Sequence, residues 1–191
     1  MSAPIKIIVE GSNLSGKSST LAALENTLLE STVMTIHGYY HSWIKDFFNT
    51  PQVMADYGLK KLFAMLPIIE ASISEGVILN RFHLTDAVYL SLFHNIEQNY
   101  NELEKRLNEL SVYLVLLDYN DEALERRLKT RHRESKAGPW DTDYESIKKK
   151  RDAYRSAFET STIGRKTIFD NSHETPEETV ERIVAWVQTR Q

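Results

Sequence analysis

Short apolar runs alternate along the chain with stretches in which apolar residues recur every three or four positions. Ile5-Lys6-Ile7-Ile8-Val9 predicts a first strand that stops at Glu10-Gly11, and Lys17 to Leu29, with Leu21, Leu24 and Leu28 on one face, predicts a helix. Thr32 to Ile36 reads as a second strand, opening into the aromatic segment Gly38-Tyr39-Tyr40-His41-Ser42-Trp43. Leu59 to Ser74 is helical in pattern, with Pro67 expected to kink or break it, and Val77 to Asn80 is a third strand after the stop at Glu75-Gly76.

Thr85 to His94 and Asn101 to Leu110 read as helices, and Val112 to Asp118 is the clearest buried strand. Asp121 to Arg131 and Tyr144 to Phe158 are helical, separated by the breaker Gly138-Pro139, and Lys166 to Phe169 is a fifth strand. Thr175-Pro176-Glu177-Glu178 supplies an N-cap, a first-turn proline and a capping-box glutamate for a last helix with the stripe Val180, Ile183, Val184, Val187. Continuous apolar strands separated by helices predict an α/β fold: one domain over 1–191, a three-layer sandwich around a five-stranded parallel sheet.

Composition narrows the chemistry. The chain has 191 residues and no cysteine, which removes disulfides, thiol catalysis and Cys-ligated metals and leaves hydroxyls, carboxylates, His, Lys and Arg. No apolar run approaches the roughly 20 residues of a membrane span, and the start lacks a basic signal region, so a cytoplasmic protein without a membrane partner is expected. The net charge is −4, yet Arg126 to Arg155 holds 11 basic against 5 acidic residues. A solvated helical face explains such a run; so does a surface that gathers anionic oxygens.

Gly11-Ser12-Asn13-Leu14-Ser15-Gly16-Lys17-Ser18 satisfies G-x-x-x-x-G-K-[ST] between a predicted strand and a helix. Phosphate oxygens need several donors at close range, and glycines let successive backbone N–H groups close around one anion. Asn13, Leu14, Ser15 and Ser19 complete the expected nucleotide loop around Gly11 and Gly16. Lys17 reaches the β- and γ-phosphates, Ser18 can ligate Mg²⁺, and the helix N-terminus adds partial positive charge. The motif identifies a nucleoside-triphosphate site, with ATP and Mg²⁺ as the expected cofactors.

From these residues outward the chain resembles the thymidylate kinase branch of the P-loop nucleotide kinases over nearly its whole length. The resemblance is carried by Ile8-Val9-Glu10-Gly11, by Val77 to Tyr89, by Tyr113 to Arg133 with Asp143-Tyr144-Glu145 and Arg151-Asp152-Ala153-Tyr154, and by Phe169-Asp170-Asn171-Ser172 with Thr175 to Glu178. It implies transfer of the ATP γ-phosphate to a deoxynucleoside monophosphate and a homodimer. It also implies an arginine-bearing lid at about 126–145, in which Arg131 and Arg133 stabilise the transferring group. Arg127 is as plausible there as either, or stacked on adenine; Asn171 lies beside the adenine. Arg81 aligns with the acceptor-phosphate arginine, and Phe63, Phe82 and Tyr89 are candidates for the acceptor pocket, the last two equally for the core.

The chain also departs from that pattern. Asn80 stands where the family carries an acid that orients Mg²⁺ through water, which makes Asp118 and Glu10 candidate substitutes; for Asp118 an ordinary helix cap or loop residue is the preferred reading. Asn13 replaces an acid that meets the acceptor sugar, and the thymine-reading arginine and glutamine have no counterparts, Val88-Tyr89-Leu90 ending that segment. Tyr39 and Trp43 follow the second strand and could stack a base or pack in the core. A hydroxyl acceptor would need a nearby base, for which His37 and His41 are closer than Asp46. Two other readings therefore stand beside the first: a kinase of a hydroxyl on a nucleoside or on a modified pyrimidine in DNA, and a nucleotide-binding protein with weak or lost catalysis.

Overall fold

The computed structural model describes residues 5–27, 31–35, 50–72, 76–133 and 143–190. Five strands, β1 (Lys6–Glu10), β2 (Ser31–Thr35), β3 (Gly76–Asn80), β4 (Tyr113–Asp118) and β5 (Lys166–Asp170), form one sheet in the order β2-β3-β1-β4-β5. All four neighbouring pairs are parallel. The helices are α1 (Lys17–Thr27), α2 (Pro51–Ala71), α3 (His83–His94), α4 (Asn101–Glu109), α5 (Asp121–Arg133), α6 (Tyr144–Thr160) and α7 (Pro176–Gln188).

Strand periodicity explains the layers. Ile8, Leu79, Leu114 and Leu116 face a core built with Leu62, Leu66 and Ile69 of α2, Leu84 and Val88 of α3, Leu103 and Leu107 of α4, and Tyr154 and Phe158 of α6, with Ile69 fully buried. Their neighbours Ile7, Val9, Ile78, Val115 and Leu117 face the opposite core with Leu21 and Leu24 of α1 and Val180, Ile183 and Val187 of α7. Both faces of the sheet are thus covered, which is why its central strands are apolar at nearly every position.

Two helices start earlier than the sequence predicts. α2 begins at Pro51, with Thr50 accepting from the Val53 N–H at 3.3 Å, and runs through Pro67 without ending there. α3 begins two residues early, at His83, because its cap comes from outside the local sequence. α7 carries the expected capping box between Thr175 and Glu178.

The chain leaves β1 for β2 on one side, returns to β3 beside β1, and then crosses to β4 on β1's other side. Open α/β sheets bind ligands at such a reversal, beyond the carboxyl ends of the strands. Glu10, Asn80, Asp118 and Asp170 end their strands at that edge.

Candidate active site

Between β1 and α1 the backbone turns through conformations that side chains resist. Gly11 has φ +146°, and a Cβ there would lie 2.6 Å from the Leu117 carbonyl oxygen and 2.8 Å from Ser15 Oγ. Gly16 has φ +81° and Leu14, unusually for a branched residue, +64°.

Side chains from elsewhere hold the carbonyls of this loop. Lys17 Nζ donates to the oxygens of Gly11 and Ser12, the latter at 2.8 Å, and to Ser15 Oγ at 3.2 Å. The Tyr119 phenol donates to the Asn13 oxygen at 2.7 Å, Arg127 to the Leu14 oxygen at 2.9 Å, and Asn171 Nδ2 to the Ser15 oxygen at 2.8 Å. With its oxygens engaged against the protein, the loop offers its N–H side to the adjoining space, the arrangement that binds anions. Tyr119 is fully buried, and burial pushes its phenol up to about 12 against the lowering effect of Ser12, Arg151 and Arg127, so it stays a protonated donor at neutral pH.

That space is a cavity of about 320 Å³ lined by Ser12 to Ser19, Asn80, Arg81 and Arg131. It brings together three cations from separate elements: Lys17 at the start of α1, Arg81 just after β3, and Arg131 in the last turns of α5. Arg81 takes φ +72°, a left-handed turn from strand into helix, and its guanidinium lies near the Tyr154 and Tyr89 phenols and the Glu10 carboxylate. Ser18 and Asn80 line the same cavity, and Asn80 Oδ1 is buried without a hydrogen-bond partner among the described residues. A hydroxyl and an orphaned amide oxygen, on two residues that line a phosphate cradle, are hard oxygen donors of the kind Mg²⁺ takes directly or through water while the substrate phosphates supply the rest. These residues fit that ion.

The two carboxylates proposed to compensate for Asn80 serve other ends. Asp118 Oδ2 accepts from Arg155 Nε at 2.7 Å and does not line the cavity. Glu10 is fully buried and accepts from the N–H groups of Phe82 at 2.7 Å and Thr85 at 3.2 Å and from Thr85 Oγ1 at 2.6 Å. The residue preceding α3 is Phe82, which has no capping side chain, so Glu10 of β1 caps the helix in its place.

No protein-family model matches the chain, and no curated protein matches it in sequence. Its fold does match solved structures. YorR from Bacillus subtilis, in complex with phosphorylated GDP, is 16% identical with a TM-score of 0.67, over 97% of this chain and 96% of that one. The thymidylate kinase of Candida albicans is 18% identical with a TM-score of 0.65, over 100% and 94%. The deoxyadenosine kinase of M. mycoides, with dCMP and dCDP bound, is 16% identical with a TM-score of 0.58, over 97% and 100%. The fold is that of the P-loop nucleoside and nucleotide kinases.

On this kinase fold, the residues picked out from sequence separate into groups. Lys17, Ser18, Asn80, Arg81 and Arg131 meet in one cavity. Arg127 and Asn171 sit behind the loop: Arg127 also donates to the Asn171 backbone oxygen at 2.6 Å, and its guanidinium lies 5.3 Å from the Tyr119 ring centre. Phe82 is core, only 2% exposed, whereas Phe63 and Tyr89 are partly buried at the edge of the same cluster. Tyr39, Trp43, His37, His41, Asp46 and the Arg133 side chain lie outside what is described, as do residues 134–142 of the expected lid.

Tyr119 escaped the sequence reading. Its signal was positional: the residue after β4 stands beside the loop after β1 once those two strands are neighbours.

Proposed function

We propose that the chain is a phosphotransferase that moves the γ-phosphate of ATP, with Mg²⁺, onto a deoxynucleoside monophosphate. One observation carries this reading: a single cavity joins the phosphate loop to Arg81 and Arg131, guanidiniums borne by two other elements. Planar, multi-donor cations converging opposite an anion cradle suit a second anion better than a neutral acceptor. The thymidylate kinase of Candida albicans and the deoxyadenosine kinase of M. mycoides, both similar in fold, support a nucleotide or nucleoside acceptor.

In this reading the loop amides and Lys17 hold the β- and γ-phosphates, and Arg81 holds the acceptor phosphate in line. An acceptor oxygen forms a bond to the γ-phosphorus as the bond to the β,γ-bridging oxygen breaks, giving ADP and a diphosphate. The acceptor is already anionic near neutral pH, so these residues position and neutralise rather than remove a proton. Arg131 balances charge on the transferring group; Ser18 and Asn80 would hold Mg²⁺, which supplies further neutralisation of the phosphates. Residues 126–145 act as the lid that carries Arg131.

Radiolabelled ATP incubated with a panel of deoxynucleoside monophosphates, nucleosides and hydroxymethylated DNA tests the proposal. Label should move to a monophosphate and vanish in Lys17→Ala. Transfer to a nucleoside or to DNA alone would replace it with the hydroxyl-kinase reading, and binding without transfer would replace it with nucleotide binding alone.

A further inference from the structure

The phosphate loop has a left-handed residue at its tip that is not glycine. Leu14 at φ +64° reverses the direction of successive peptides, and a branched side chain takes that conformation only when its surroundings impose it. The two peptide units flanking Leu14 are each pinned by their oxygen. Tyr119 holds the Asn13 oxygen at 2.7 Å and Arg127 holds the Leu14 oxygen at 2.9 Å. The Tyr119 hydroxyl also shares a 2.7 Å hydrogen bond with Ser12 Oγ.

Tyr119 is itself held from both lid-bearing helices. The Arg127 guanidinium of α5 lies 5.3 Å from its ring centre and that of Arg151, on α6, lies 5.6 Å away. Its backbone oxygen accepts from Arg151 at 3.1 Å and from Arg155 at 3.2 Å. Arg131, which lines the cavity, lies one helical turn beyond Arg127 on the same face of α5. One tyrosine thus meets the loop that cradles the donor phosphates and arginines from the middle of both helices that would carry the lid.

We infer that Tyr119 is a positioning residue for the donor nucleotide: its hydroxyl keeps the Asn13–Leu14 peptide turned with its N–H toward the phosphates. Without that hydroxyl the peptide can rotate, which relieves the strain at Leu14 and presents a carbonyl oxygen to the anion where an N–H is needed. The inference rests on the phosphotransfer reading for its ligand and goes beyond it in naming what sets the loop.

The test is calorimetric titration of the full chain with the nonhydrolysable analogue AMP-PNP and Mg²⁺. Tyr119→Phe keeps the ring between its arginines and should weaken binding about tenfold, the range expected from one buried hydrogen bond left unmade. The comparator is Tyr113→Phe, whose hydroxyl donates to the Val187 oxygen at 3.5 Å, at the opposite end of β4. It should bind as the wild type does. In steady state the KM for ATP should rise in Tyr119→Phe with the acceptor KM unchanged.

Ser12→Ala supplies a second route, since its effect and that of Tyr119→Phe should be non-additive in a double-mutant cycle. Undiminished binding by Tyr119→Phe, additive effects, or a Tyr119→Phe chain that loses its fold overturns the inference and leaves phosphotransfer standing. A wild-type chain that binds no AMP-PNP overturns the phosphotransfer reading itself.

Discussion

Replacing Glu10 by glutamine probes the joint between the first strand and the acceptor side of the cavity. The carboxylate is fully buried and accepts three hydrogen bonds, from the Phe82 and Thr85 amides and the Thr85 hydroxyl. Both backbone amides meet Oε1, which glutamine keeps, and its N–H₂ replaces Oε2 beside Thr85 Oγ1, which can redirect its proton to the Tyr154 phenol 2.8 Å away. What glutamine removes is the negative charge behind all three bonds.

Bonds to a charged acceptor are worth about 1.5–3 kcal/mol and neutral ones about 0.5–1.5 kcal/mol, so three bonds that each lose about 1 kcal/mol of charge assistance predict a destabilisation of about 3 kcal/mol. With an m-value of about 2 kcal/mol/M in urea, the midpoint should fall by about 1.5 M. Because α3 starts at His83, two residues after Arg81, the same change should lower kcat/KM toward the acceptor more than it raises the KM for ATP. Urea denaturation followed by circular dichroism reads the first effect and initial rates the second. A midpoint within about 0.3 M of wild type, corresponding to well under 1 kcal/mol, would refute the cap.

Three further outcomes follow from the same geometry. Gly11→Ala places a methyl 2.6 Å from a backbone oxygen at φ +146° and should cost about 2–4 kcal/mol and abolish AMP-PNP binding, read by thermal melting and calorimetry. Burial raises the Glu104 pKa, but hydrogen bonds from His83, Ser161 and Thr162 outweigh it and bring it from 4.5 to about 2. The folded state therefore binds fewer protons than the unfolded one: Glu104's contribution is complete above about pH 4.5 and is lost as the pH falls toward 2, so Glu104→Gln should flatten that acid limb in pH-dependent denaturation. Asn80→Asp adds charge beside Ser18 and should lower the Mg²⁺ concentration for half-maximal activity about fivefold; an unchanged or raised requirement would remove Asn80 from the metal site.

Local rules carried the sequence reading a long way, and where they stopped is physically definite. The loop motif is legible because its demands are local: two glycines at turns and a lysine at the helix start. The layers are legible because strand and helix periods differ, so continuous apolar strands such as Ile5 to Val9 implied a sheet covered on both faces before any contact was known. Long-range partners were not legible. Glu10 looks like a metal-site acid and Asp118 like a free cap until the sheet order brings Thr85 to one and Arg155 to the other.

Arg127 shows the same limit from the other side. The resemblance left it as plausible a lid arginine as Arg131, and the fold brings both to the phosphate loop, but by different routes. Arg131 lines the cavity, whereas Arg127 reaches the back of the loop and holds the Leu14 oxygen. A basic run in an acidic chain thus does two jobs, one on each side of the same backbone, and charge counting cannot separate them. Exchanging the two guanidiniums for lysines one at a time does. Arg131→Lys keeps a point charge in the cavity and should lower turnover with little change in AMP-PNP affinity. Arg127→Lys loses the fork that spans Leu14 and Asn171 and should weaken AMP-PNP binding, while adding little to a Tyr119→Phe background, because both side chains constrain the same residue.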